Sequence, residues 1–441
     1  MKSFSYKHLW SVALPLMLAE LMELLINITD ILIAGRLSSI ALAAIGFCSI
    51  YHFGFVYLIF GLGNGIQTFV AKSISKNKIV QAGDGFKHGM LILSFLAFSL
   101  SAIMYVSLDL ALDTLIQGQE LRSLCHSYLG IRLISFPVIG FITAFNMFYL
   151  GISRSYIIFI IALVTAGFNA ILNYILVFGK FGLPGLGLNG SAIGSTIAEG
   201  LGLVIFVLYS IFDKKTKPYL LYNWSGIDKK IIKRTMKFGS PALIHGWMSS
   251  FSWIFFFVLV ERISTEAVAA STIIENIYLI IMVPILAFST AGSTLISTAG
   301  AKVLEFNNIV LKTIFSSLAL CFVLIALVLI FYQSIVTIYT KDLKVSSLVQ
   351  TPLRVVLTIL LVACISNSLV GCINGTGSAK YLIYIELCTL ISYFIYLGIL
   401  YRYQVTDLNI IWLSELVYVV VLGLGGYVMY KSGKWKGYML E

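Results

Sequence analysis

Long apolar stretches separated by short polar connections repeat along the whole chain. Ser38–Ala71, Leu133–Ser153, Ser155–Gly179, Phe238–Val260, Asn276–Ala301, Thr313–Thr340 and Val355–Ala379 contain no Asp, Glu, Lys or Arg. Each is long enough for a helix to cross a hydrocarbon core about 30 Å thick, which takes about 20 residues. Period-two alternation is missing, which argues against barrel strands. The pattern predicts twelve spans, near 9–35, 44–71, 86–108, 126–150, 157–179, 188–212, 236–260, 273–300, 310–338, 350–373, 380–401 and 408–430.

Composition agrees. Of the 441 residues, 59% are hydrophobic and only 11% are charged, against about 25% charged in soluble domains. A net charge of +11 raises the question of nucleic acid. The basic residues lie in the connections between spans, so no nucleic-acid partner is expected. With the N-terminus inside, most of the 30 lysines and arginines fall on the inner side. That asymmetry predicts both termini in the cytoplasm. Lys2 and Lys7 precede an apolar helix that continues to Ala34-Gly35-Arg36 without a cleavage site, so it reads as a retained first span. The six cysteines (48, 125, 321, 364, 372 and 388) form no CxxC pair and read as packing residues. No cofactor is implied.

The longest polar connection, 213–230, divides the spans into two groups of six. The predicted organisation is a lobe at 1–212, a cytoplasmic connection at 213–235 and a second lobe at 236–441. A shift of 226 places Pro15 on Pro241, Arg36 on Arg262 and 41-ALAA-44 on 267-AVAA-270. A shift of 224 places 151-GISRS-155 on 375-GTGSA-379. Six spans per half means both halves enter from one side. The expected fold is an all-α integral membrane protein, twelve transmembrane helices in two six-helix lobes related by a parallel pseudo-twofold repeat. Transporters with such repeats place substrate at the repeat interface and alternate access by rocking.

The polar residues within the spans carry the chemistry. On the first helix, Glu20, Glu23, Asn27 and Asp30 are spaced 3, 4 and 3 apart and fall within an arc of about 80°. A buried acid costs about 2.5–3.5 kcal/mol on insertion scales, so these acids should face a wet cavity, pair or be protonated. Glu20 and Glu23 serve either that site or a neighbouring helix by hydrogen bonding. Span 5 carries Thr165, Asn169 and Asn173, and span 6 carries Ser191, Ser195 and Glu199, each set at i, i+4, i+8. Carboxamides offer oxygens to a cation and N–H donors to a carboxylate, or they join helices. In the second half Glu275, Glu386 and Glu415 sit on separate spans and read as isolated. His245 serves either packing or hydrogen bonding, or else substrate binding or proton transfer. Shifting Asp30 by 226 reaches Phe256, so the ion step is expected in the first half alone.

These motifs resemble the multidrug and toxic compound extrusion (MATE) family. The carriers are Pro15, Asp30, Gly35 and 41-ALAAIG-46; 81-QAGDG-85; 169-NAILNYILVFGKFGLPGLGLNGSAIGST-196; and 373-INGTG-377. The resemblance covers roughly 8–430. It implies a monomeric antiporter of the bacterial inner membrane, not an enzyme, which exports small amphipathic, often cationic compounds in exchange for H⁺ or Na⁺. Its cation site falls on Asp30, Asn169, Asn173 and Ser195, with Na⁺ a candidate ligand of the first three. Position 173 is Asp in some members and Asn here, and acids that some members carry on spans 7 and 10 are absent. Protonation of Asp30 would remove the charge that holds Asn169 and Asn173 and let span 1 shift.

Three rivals fit less well. A lipid-linked oligosaccharide flippase needs a cationic cavity, and Arg132 is the lone basic candidate within a span. An intramembrane transferase needs clustered Asp, His and Arg. A major-facilitator carrier needs a Gly-Asp-Arg-type loop after span 2, where this chain has 72-KSISKNKIVQAGDGFKHG-89.

Overall fold

The computed structural model describes residues 5–152, 154–224, 226–298, 303–376, 379–433 and 435. The side chains of Glu23 and His245, and parts of the 151–155 and 375–379 motifs, lie outside the described residues.

Every expected span is a helix or a helix pair. The elements are α1 (Tyr6–Leu37), α2 (Ser39–Ser75), α3 (Ile79–Leu115), α4 (Gln119–Arg132), α5 (Ser135–Gly151), α6 (Ser155–Phe178) and α7 (Gly187–Phe212). Then follow α8 (Lys229–Glu261), α9 (Thr265–Thr298), α10 (Val303–Ile330), α11 (Tyr332–Tyr339), α12 (Leu343–Asn374), α13 (Ala379–Arg402) and α14 (Leu408–Ser432). Side-chain oxygens start several of them. Ser38 caps α2, Asp342 caps α12 and Asp407 caps α14, each accepting from a backbone N–H that the helix leaves unpaired. Among the described residues, nine helices are long and apolar enough to span a membrane one by one, and the α4–α5 pair makes a tenth. Phe95, Phe98, Tyr105 and Val106 of α3 project openly from the protein, as side chains facing lipid should.

The fourth span is broken, which the apolar pattern did not foresee. α4 and α5 meet at 50° across Leu133 and Ile134. Pro137 explains it. It has no N–H for the carbonyl four residues back, at Leu133, and its ring crowds that carbonyl. The Ser101 hydroxyl takes over, donating to the Leu133 oxygen at 2.8 Å, while Ser135 donates to the Arg132 carbonyl at 2.7 Å. The bend leaves Arg132 at the end of α4, buried.

By packing, the chain forms two compact units: residues 25–254, and residues 1–24 together with 255–441. The first holds α2 to α7, the second part of α1 and most of α8. In it the polar connection is tied down. Lys87 pairs with Asp84 at 2.8 Å and donates to the Asn223 carbonyl. The Asp228 N–H donates to His88 Nε2 at 2.8 Å, and Trp224 stacks on the same ring. The second unit is centred on α9, α12 and α14. Leu9, Ala13 and Met17 of α1 complete its core against Val283, Ala287, Phe288, Ala291 and Leu295 of α9.

Candidate functional site

Asp30 is buried on α1. Its Oδ1 accepts a hydrogen bond from Asn173 Nδ2, and its Oδ2 accepts one from Ser195 Oγ at 3.0 Å. Asn169 Nδ2 donates to Ser195 Oγ at 2.8 Å, and Asn173 Nδ2 also donates to Asn169 Oδ1 at 3.2 Å. Three helices therefore meet on one carboxylate. The i, i+4 spacing puts Asn169 and Asn173 on one face of α6, and α7 supplies the hydroxyl. Two buried oxygens here have no donor, Asn173 Oδ1 and Ser191 Oγ.

Small residues make the meeting possible. α6 and α7 are joined by a short connection that turns at Gly179, in the left-handed region at φ 65°. A Cβ at Gly194 would stand 2.2 Å from Asn173 Oδ1, so α7 reaches α6 only because that position has no side chain.

One turn further along α7, Glu199 forms a two-pronged ion pair with Arg132 at 2.8 and 3.1 Å. Arg132 Nη1 also reaches Thr196 Oγ1 at 3.5 Å. The residue pattern singled out Glu199 and Arg132 separately but did not pair them. Their common signal was present all the same: each is the lone Asp, Glu, Lys or Arg of its expected span, 126–150 and 188–212, and such charges seek partners.

The first-helix stripe divides. Asp30 joins α6 and α7, Asn27 is half-buried in the same unit, and Glu20 is half-buried among residues that pack with the second unit. Glu23 and His245 are not among the described side chains.

The acids of the second half are not isolated, which corrects the sequence reading. Glu415 is buried, and its carboxylate accepts from Tyr393 at 3.1 Å and Tyr278 at 3.2 Å. Glu275, one turn before Tyr278 on α9, lies within electrostatic reach of Glu415. Glu386 accepts from Tyr418 at 2.8 Å. The group draws on α9, α13 and α14, so no spacing within one helix reveals it.

Among the described residues, no group of three or more His, Cys, Asp or Glu side chains gathers as a metal site. The set at Asp30 is one carboxylate, two carboxamides and one hydroxyl. Such hard oxygens suit a proton or a small hard cation.

Fold and site together define a multi-pass, all-helical membrane protein with a carboxylate at the heart of a polar core. The MatE family model matches residues 15–175 and again 241–399, and the chain belongs to the MatE family. The two matches start at positions 15 and 241, the same offset that aligns Pro15 with Pro241. A relative from Pasteurella multocida, described as probable multidrug resistance protein NorM, is 22% identical over 391 residues, 86% of this chain and 83% of the relative. The protein of the same description from Agrobacterium fabrum is 26% identical over 314 residues, 69% of this chain and 65% of that protein. The one from Aromatoleum aromaticum is 23% identical over 300 residues, 67% of this chain. The chain thus spans just under two-thirds of these last two, 65% and 64%. Among solved structures, the inward-facing conformation of a multidrug resistance MATE family transporter of the MOP superfamily gives a TM-score of 0.83 at 17% identity over 99% of both chains. An outward-facing conformation of such a transporter gives 0.76 at 18% identity over 98% of this chain and 96% of that one. At these identities the likeness establishes the fold.

Proposed function

We propose that this protein is a secondary active antiporter that exports small amphipathic, often cationic compounds by alternating access, driven by entry of H⁺ or Na⁺ at Asp30. The observation that carries the reading is the buried Asp30 carboxylate held between α6 and α7 by Asn173 and Ser195. Family membership and the multidrug-resistance descriptions of the relatives support the export direction. Loading Asp30 removes the negative charge that draws the Asn173 amide and the Ser195 hydroxyl. A ligand shifts a conformational equilibrium only by its differential affinity for the two states, and the lost hydrogen bonds supply that difference. α1 is then free to move against α6 and α7. The protein works as a monomer in the bacterial inner membrane, with both termini and the 213–235 connection cytoplasmic. The flippase reading is weaker, because Arg132 is already engaged by Glu199.

The test is efflux of a panel of cationic dyes in inverted vesicles under imposed pH or Na⁺ gradients. Wild-type protein should accumulate dye in response to a gradient. Asp30→Asn should insert normally and lose gradient-driven accumulation. Undiminished transport by that variant rejects the assignment.

A further inference from the structure

Arg132 has no part in the coupling scheme above, yet it is buried beside it. Its guanidinium occupies both oxygens of Glu199 and reaches Thr196, next in sequence to the Ser195 that bonds Asp30. Glu199 follows Ser195 by one turn on the same face of α7. Asp30 and Arg132 lie within electrostatic reach of each other. Among the described residues, the ionisable side chains gathered here include Asp30, Arg132, Glu199, Tyr128, Cys48 and His52.

Consider what a metal cation would meet. Without the arginine, Asp30 and Glu199 would be two unneutralised carboxylates within electrostatic reach of each other, with Asn and Ser oxygens beside Asp30, donors of the kind that hard cations take. With it, both Glu199 oxygens are spent on a bidentate pair of the geometry that arginine favours. Both Asp30 oxygens face hydrogen-bond donors. Asn173 Oδ1 and Ser191 Oγ are buried oxygens here without a donor, and two neutral oxygens do not make a coordination shell. The guanidinium repels any second cation, a proton included, so the discrimination rests on the missing coordination shell. A proton needs neither a shell nor room.

We propose that Arg132, engaged with Glu199, is the residue that sets ion selectivity, excluding sodium and other monovalent metal cations from the Asp30 site. This rests on the reading of Asp30 as the coupling site. It makes Arg132 a specificity-determining residue that touches no substrate.

The experiment measures thermal unfolding of the purified full-length protein across a NaCl series, with KCl holding ionic strength constant. Wild-type protein should show no Na⁺-specific stabilisation. Arg132→Gln should gain at least about tenfold in Na⁺ affinity, about 1.4 kcal/mol, and Asp30→Asn in that background should abolish the gain. Arg132→Gln leaves Glu199 buried without its partner, so Arg132→Gln/Glu199→Gln is made beside it. That pair leaves no charge at either position, so that Asp30 is the carboxylate left for a cation to neutralise, and it should also gain a Na⁺ response. An Asp30-dependent Na⁺ response in wild-type protein overturns the proposal. So does the lack of any Na⁺ response in whichever of the two variants folds. Neither outcome touches the coupling role of Asp30, which the vesicle assay decides by itself. If Asp30→Asn still exports dye, the coupling assignment fails whatever the sodium data show.

Discussion

Asp30 keeps its place because three other residues are small or amidic. Ser195 and Asn173 satisfy its two oxygens, and Gly194 lets Asn173 fit. Gly194→Ala should therefore damage the site without touching the carboxylate. The added methyl overlaps Asn173 Oδ1, and overpacking of this kind costs about 1–3 kcal/mol. The expected outcome is a lower Tm in detergent together with loss of dye export; an unchanged Tm would show that α7 yields at no cost. Much of this site was legible beforehand. The i, i+4 pairs on spans 5 and 6 and the lone Asp on span 1 mark side chains that apolar surroundings force together. The Arg132–Glu199 pair was not legible, because its partners lie 67 positions apart on different helices.

At the scale of elements, the α4–α5 break rests on Pro137 and is sealed by Ser101. Ser101→Ala would leave the Leu133 carbonyl with only the longer bond from the Phe136 N–H at 3.3 Å, and a lost intramolecular hydrogen bond costs about 0.5–1.5 kcal/mol. Thermal unfolding of that variant should show the loss, whereas Ser107→Ala, whose hydroxyl bonds only within its own helix, should leave Tm unchanged. A second joint lies at the end of α7, where Arg154 pairs with Asp213. Partial burial pushes the Asp213 carboxyl up, but the Lys215 amide and the Arg154 guanidinium outweigh it and hold it below the ordinary carboxylate value. A carboxyl depressed in the folded state contributes stability that is complete above its unfolded pKa and is lost as pH falls through the folded value. The Tm advantage of wild-type protein over Asp213→Asn should accordingly be present near neutrality and vanish on acidification. An advantage constant with pH would mean that the pairing contributes nothing.

For the whole molecule, the compact units do not coincide with the halves of the sequence. The repeat begins anew at Pro241, but residues 1–24 pack with 255–441 and residues up to 254 pack with the first unit. Leu9, Ala13 and Met17 thus belong to a core whose remainder lies beyond residue 254. A chain cut within 213–228 yields two fragments, neither of which holds a complete unit. Expressed separately, each should be rapidly degraded; expressed together, they should co-purify and resist protease. Stable accumulation of the 229–441 fragment alone would show that the first 24 residues are dispensable to that core.

The amino-acid sequence by itself determined the membrane class, the placing of the apolar helical runs and the duplication, because each follows from properties local to the chain: apolar runs of spanning length and an offset that repeats. It also marked Asp30, Asn169, Asn173 and Ser195, since helical spacing and the cost of burying polar groups act within a single helix. Only the tertiary structure decided which charges neutralise each other. Arg132 found Glu199, and Glu415 and Glu386 found hydrogen bonds from tyrosines on neighbouring helices. The packing units likewise belong to the folded chain, because a helix long enough to cross a membrane can give its two ends to different cores.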